Sequence, residues 1–263
     1  MAKRPAAISE LERLWAKLRA ATPARVGLAR AGAATATRVT LAFQAAHASA
    51  RDAVEAPFDA AGVAAAITAR GLAPLRLRSR AGELSVYLAR PDLGRRLDDA
   101  SRARLAGAEK GFDLVFVVAD GLSAKAVAAH APQLIEAALP ALTGEGWRVG
   151  PVAVVERGRV AIGDEIGEAL EAALVAVLIG ERPGLSSPDS LGLYLTWAPR
   201  LGRSDAERNC VSNIRPEGLS YADAARRLVY LCREARRLKL SGVGLKDQSE
   251  AAPAAAPPSP RLP

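Results

Sequence analysis

Three short stretches gather the residue types that bind or react, and two of them directly follow an apolar run that reads as a strand. Asp120-Gly121-Leu122-Ser123 places a carboxylate, a glycine able to turn sharply and a hydroxyl between a strand and a helix. Ser123 there either caps the helix or meets a phosphate. Gly180-Glu181-Arg182-Pro183-Gly184-Leu185-Ser186-Ser187 packs two glycines, a proline and both signs of charge into eight positions. The Glu181 carboxylate only accepts hydrogen bonds, which suits a ligand bearing several amide N–H groups; a surface pair with Arg182 is the plainer use. Arg208-Asn209-Cys210-Val211-Ser212-Asn213-Ile214 reads as a polar loop between the last strand and the last helix. Cys210 has no histidine near it in sequence to activate a thiol, so packing is favoured over nucleophilic chemistry.

Sharper chemistries are excluded by inventory. Gly27 to Gly32 has the spacing of a phosphate loop, but Ala33 and Ala34 stand where Lys and Ser or Thr would hold phosphate and magnesium. No GxGxxG opens a helix, no HExxH is present, and Ser123 lacks a GxSxG elbow. His47 and His130 are the only imidazoles, so no metal site is expected. Cys210 and Cys232 form no CxxC, which points to a reducing compartment, with Cys232 assigned to the core. Met1 to Glu12 is polar and no long apolar run follows anywhere, so a soluble cytoplasmic protein without a membrane partner is expected. The net charge of +8 comes from arginines scattered among alanines with few aromatics, an arrangement that argues against a nucleic-acid partner. A regulatory α/β protein that binds a nucleotide or nucleic acid through the same loops is the competing reading.

Those loops need a scaffold. Leu114–Ala119, Val152–Val155, Leu174–Ile179 and Leu191–Trp197 are short apolar runs that predict buried strands. Helical spacing covers Ser123 to about Leu139, just before Pro140, and Gly163 to Ala173. The alternation predicts an α/β fold: a Rossmann-like, largely parallel sheet with flanking helices. A helical region precedes it. Ser9 and Glu12 form a capping-box pattern ahead of Leu11, Leu14, Trp15 and Leu18, with Pro23 stopping the run. Further helices are expected over Thr37–Ala53 and Asp59–Arg70, and a last one from Ser220 carries Ala224, Leu228, Leu231, Ala235 and Leu238 on one side. The division expected is 1–110, a helical region for docking a partner; 111–247, an α/β binding domain; and 248–263, a disordered Ala/Pro/Ser tail.

Read together, the segments say more than any one of them. RPDLGRRLD from Arg90, DGLSAKAV from Asp120, GRVAIGDEIG from Gly158, LIGERPGLSSPDSLGLYLT from Leu178, RNCVSNI from Arg208 and SGVGLKD from Ser241 resemble the ethanolamine ammonia-lyase small subunit family, in that family's order. The resemblance implies a hetero-oligomer in which this chain and a larger barrel subunit hold adenosylcobalamin between them. It further implies radical conversion of ethanolamine to acetaldehyde and ammonia, with the catalytic residues on the large subunit and none here. Cofactor contacts are implied at Val160, Glu181 and Cys210, which makes 111–247 the cobalamin-binding domain. Neither histidine lies in a DxHxxG pattern, so the cofactor is expected to keep its own base on cobalt. The implied complex is cytoplasmic or housed in a bacterial microcompartment.

Overall fold

In the computed structural model, residues 10–250 apart from Pro23 and Ala29 are described. The expected cap at Ser9 and the tail beyond Glu250 lie outside the described residues. The chain opens with α1 (Glu10–Ala21), a hairpin of β1 (Arg30–Ala31) and β2 (Ala34–Thr35), and α2 (Thr37–Glu55). No residue of α1 is buried, and α2 buries Ala53 alone. Helix α3 (Ala60–Thr68) differs: Asp59 caps it by accepting from the Gly62 N–H at 2.8 Å, and Ala60, Val63 and Ile67 pack into the core.

Next come β3 (Pro74–Arg78), α4 (Leu84–Ala89) and α5 (Asp99–Ala106). Strand and helix then alternate through β4 (Leu114–Ala119), α6 (Ala124–Gly144), β5 (Val152–Glu156), α7 (Ile162–Ala169) and β6 (Leu174–Gly180). A hairpin of β7 (Leu191–Trp197) and β8 (Arg208–Ile214) follows, and α8 (Tyr221–Leu238) is the last long helix. The six-stranded sheet has the order β3-β5-β4-β6-β7-β8, parallel from β3 through β6 and antiparallel from β6 to β8. The expected largely parallel sheet with flanking helices is therefore the observed architecture.

Two apolar layers sandwich this sheet. On one face α3, α6 and α8 close over Phe116, Leu178, Leu193 and their neighbours; on the other α5 and α7 close over Val117, Val155 and Val177. Burying one such side chain stabilises the fold by ~1.5–3 kcal/mol, so the parallel half is held by apolar contact. The second face is not covered to its end. β7 and β8 give Leu191, Leu193, Leu195, Val211 and Ile214 to the first layer, and only Tyr194, partly buried, to the second.

Three local expectations are corrected. Arg208–Ile214 is a strand rather than a loop: Val211 and Ile214 point into the first layer, while the polar residues between them hid the pattern. Helix α6 runs through Pro140 to Gly144, because fully buried Leu142 in the turn beyond packs into the core and offsets the missing backbone bond. Residues 74–78, within the stretch read as helical, form β3 at one edge of the sheet. Its outward backbone groups are met by α5, where Ser101 Oγ accepts from the Arg78 N–H at 2.8 Å and Arg104 donates to the Arg76 carbonyl at 2.6 Å.

Candidate functional site

Ligands of open α/β sheets bind beyond the carboxyl ends of the strands, and here the tips of β4, β5 and β6 meet in one tight knot. Gly121 follows β4 with φ of 60°, and a Cβ there would stand 2.3 Å from the Gly180 carbonyl oxygen. A Cβ on Gly180 would stand 2.3 Å from the Ser123 carbonyl oxygen in return. Only paired glycines permit this approach. The Leu122 N–H donates to the Gly180 carbonyl at 3.0 Å. Ser123 caps α6 by accepting from the Ala126 N–H, and its hydroxyl donates to the Pro188 carbonyl at 3.0 Å. The serine is thus both cap and tether for the loop after β6.

Asp120 is half-buried at the centre of this knot. One carboxylate oxygen accepts from the Gly121 N–H at 2.9 Å and the Gly158 N–H at 3.1 Å, the other from the Arg157 N–H at 2.8 Å. Burial raises its pKa to about 6, against the pull of these N–H groups and the Arg157 charge. The folded chain therefore favours the protonated acid. That stabilisation is complete below the ordinary value of 3.8 and is lost as pH rises through 6, so an ionised Asp120 at neutral pH costs folding free energy.

Glu181 begins the loop after β6. Its Oε2 accepts from Ser190 Oγ and from the Asn213 N–H at 3.2 Å, which ties the start of the loop to its end and to β8. The side chain lies over Gly192 of β7, where a Cβ would stand 3.0 Å from Oε1 and 3.3 Å from Tyr194 Cε2. Tyr194 pairs across the hairpin with Cys210 and stands close enough to influence its thiol. Glu181, Tyr194 and Cys210 thus form one cluster on the uncovered part of the sheet, with Cys210 and Ser212 exposed. Burial raises the Cys210 pKa and the Glu181 charge adds to it, against the influence of Tyr194. A thiol held protonated is the opposite of an activated nucleophile.

Val160 stands in the turn between β5 and α7, half-buried against the second layer, on the same sheet face as Tyr194. The structure therefore gathers Glu181 and Cys210 directly and sets Val160 on the same side of the sheet. The histidines are elsewhere. His130 is buried on α6, its Nδ1 2.7 Å from the Tyr221 hydroxyl, and His47 lies beside Phe43 on exposed α2. Cys232 is buried in the first layer as expected. No group of residues able to hold a metal ion occurs among the described residues.

The two carboxylates of the GRVAIGDEIG segment prove architectural. Asp164 grips Arg208 through two 2.7 Å bonds, and that guanidinium also donates to Thr196 Oγ1 at 3.0 Å. Burial alone would lower the Arg208 pKa, but the bonds and charge of Asp164 raise it, so the guanidinium stays cationic. Glu165 accepts from the Leu97 N–H at 2.9 Å, from Arg96 at 3.1 Å and from Arg102 at 2.6 Å. Both carboxylates are spent on holding β8 and the segment ahead of α5 to α7. Reading the sequence missed Tyr194; its signal was the alternation in LGLYLTW, which puts Leu191, Leu193 and Leu195 inward and Gly192, Tyr194 and Thr196 on the other face.

Residues 12–246 match the model of the ethanolamine ammonia-lyase light chain (EutC) family. The chain belongs to that family. It is 58% identical over 245 residues to the ethanolamine ammonia-lyase small subunit of Azotobacter vinelandii, covering 92% of this chain and 91% of that one. Against the small subunit of Pseudomonas aeruginosa (strain LESB58) it is 57% identical, covering 91% and 89%. Against that of Xanthomonas campestris pv. campestris (strain B100) it is 57% identical, covering 90% and 88%. This light chain is one component of a lyase, and no helix among its described residues is long and apolar enough to cross a membrane.

Proposed function

We propose that the chain assembles with an ethanolamine ammonia-lyase large subunit and that its uncovered sheet face forms one wall of an adenosylcobalamin cleft. The observation that carries this reading is the gathering of Glu181, Tyr194 and Cys210 on a part of the sheet that, among the described residues, lies beyond the cover of α7, with Val160 on the same side of the sheet. A corrinoid is flat and apolar with amide side chains at its rim. Gly192 lets the Glu181 side chain lie close against β7, where Glu181 offers a carboxylate that accepts from amide N–H groups, Tyr194 offers a hydroxyl, and Val160 and Cys210 offer soft contact. The donor set fits such a group.

When bound, the cofactor supplies the radical chemistry that converts ethanolamine to acetaldehyde and ammonia; this chain binds and orients it. Both histidines lie away from the uncovered face, so this wall offers no imidazole to cobalt. A second support for a large partner is the front of the chain. Leu11, Leu14, Leu18, Leu41 and Phe43 are exposed on α1 and α2, and we assign this apolar surface to the large subunit.

Glu181→Ala tests the reading in the complex reconstituted with the large subunit. Loss of one charge-assisted hydrogen bond predicts about tenfold weaker cobalamin retention, read from the absorbance of bound cofactor, with co-elution of the two subunits unchanged. Unchanged retention would make Glu181 a tie between loop and strand and nothing more.

A further inference from the structure

We propose that Asp120 is a positioning residue: its carboxylate fixes the turn carrying Val160 relative to the loop carrying Glu181, so that both meet one cofactor. This deepens the cobalamin reading above and rests on it. β4 lies between β5 and β6 in the sheet, so the segment after β4 is the one place from which both neighbouring tips are within reach. Its two hands are different. The Asp120 side chain holds the Arg157 and Gly158 N–H groups on the β5 side, while the backbone of Gly121 and Leu122 and the hydroxyl of Ser123 hold Gly180 and Pro188 on the β6 side. The β6 side is set by backbone contact and glycine. On the β5 side the side-chain link from the β4 tip is that one carboxylate, while the Gly94 carbonyl and the Tyr87 hydroxyl hold the turn from its far side.

Plain turn-making does not require that carboxylate. A half-buried acid with a raised pKa that ionises beneath three N–H groups lowers stability at neutral pH, and its protonated form accepts those bonds less well. The groups around it do little to offset this. Arg157 turns its guanidinium to the Gly82 carbonyl, and the Tyr87 hydroxyl donates to the Gly158 carbonyl at 3.2 Å under the Arg159 guanidinium. Glu55 and Glu156 line the same cleft of about 290 Å³ beside Arg157, with Glu156 paired to Arg78 at 3.0 Å. What the ionised acid secures is the position of Gly158, two residues before Val160.

The test compares Asp120→Asn with wild type in the reconstituted complex. The amide keeps one acceptor oxygen but turns an NH₂ toward the Arg157 N–H. Cobalamin retention is expected to weaken about tenfold near neutral pH. Wild-type retention should fall about tenfold as the pH drops from about 7.5 to about 5, while the variant changes less than about twofold across that window. A residue needed only for folding would not flatten that profile. Wild-type affinity in the variant, or an unchanged profile, would overturn the proposal. Should Asp120→Asn fail to fold, hydrogen-exchange protection of the Arg157 and Gly158 amides in the wild-type complex decides instead, because protection that does not fall toward about pH 5 removes the clamp. Weakening by Glu181→Ala with no effect of Asp120→Asn would sink this role alone; no effect of either would sink the cofactor face itself.

Discussion

The sheet has two unlike halves. From β3 to β6 the strands are parallel, with helices on both faces, and β4, β5 and β6 are buried almost without exception. From β7 to β8 they are antiparallel, one face closes on the core, and the other presents Cys210 and Ser212 exposed and Tyr194 half-buried. The first half is held by apolar area, the second by a hairpin and a few polar ties. The difference shows where stability and binding are kept apart: residues can be exposed to a ligand only where the fold does not depend on hiding them.

The tie whose loss should do most damage is Arg208, which pins β8 to Asp164 of α7. Arg208→Ala leaves a buried carboxylate unpaired and is expected to cost about 3–5 kcal/mol in urea denaturation. A loss well under 1 kcal/mol would mean that the hairpin holds the open half by itself. Next, Gly121→Ala forces a Cβ to 2.3 Å from the Gly180 carbonyl at positive φ and should cost about 1–3 kcal/mol by the same measurement. Its effect on cobalamin retention should exceed its effect on stability if the knot also positions the loops. The smallest expected change in stability is that of Cys210→Ala, within about 0.5 kcal/mol, because the side chain is exposed. Retention of cobalamin should nonetheless fall. A thermal shift as large as that of Arg208→Ala would show that the bare face is structural after all, and the contrast between the halves would disappear.

The same contrast governs what could be read in advance. β4, β5, β6 and β7 are apolar runs that announce themselves, and α6 and α8 have one apolar side each. β8 was hidden because its outward residues are Arg, Cys and Ser, so that Val211 and Ile214 alone carry the inward pattern. β3 was hidden for a related reason: Arg76 and Arg78 interrupt Leu75 and Leu77, as suits a strand at the rim. At the candidate site the loops after β4 and β6 were legible as positions while Arg208–Ile214 was misread as a third, and Glu181 and Cys210 do come together. Tyr194 was not, because a lone tyrosine in an apolar strand reads as core until the register across the hairpin is known. The bonding of Asp120 to the turn before Val160 was also invisible, since it joins residues 37 and 38 positions apart.

The bonds that α5 makes to the outer side of β3 have a consequence for how this protein behaves when crowded. A rim strand with unsatisfied amides and carbonyls is a template on which a foreign strand can polymerise. With the Arg78 N–H and the Arg76 carbonyl already taken by Ser101 and Arg104, and with charged guanidinium groups standing along the same strand, that template is occupied. A subunit that keeps one face bare for its partners therefore closes a side on which fibre growth could begin.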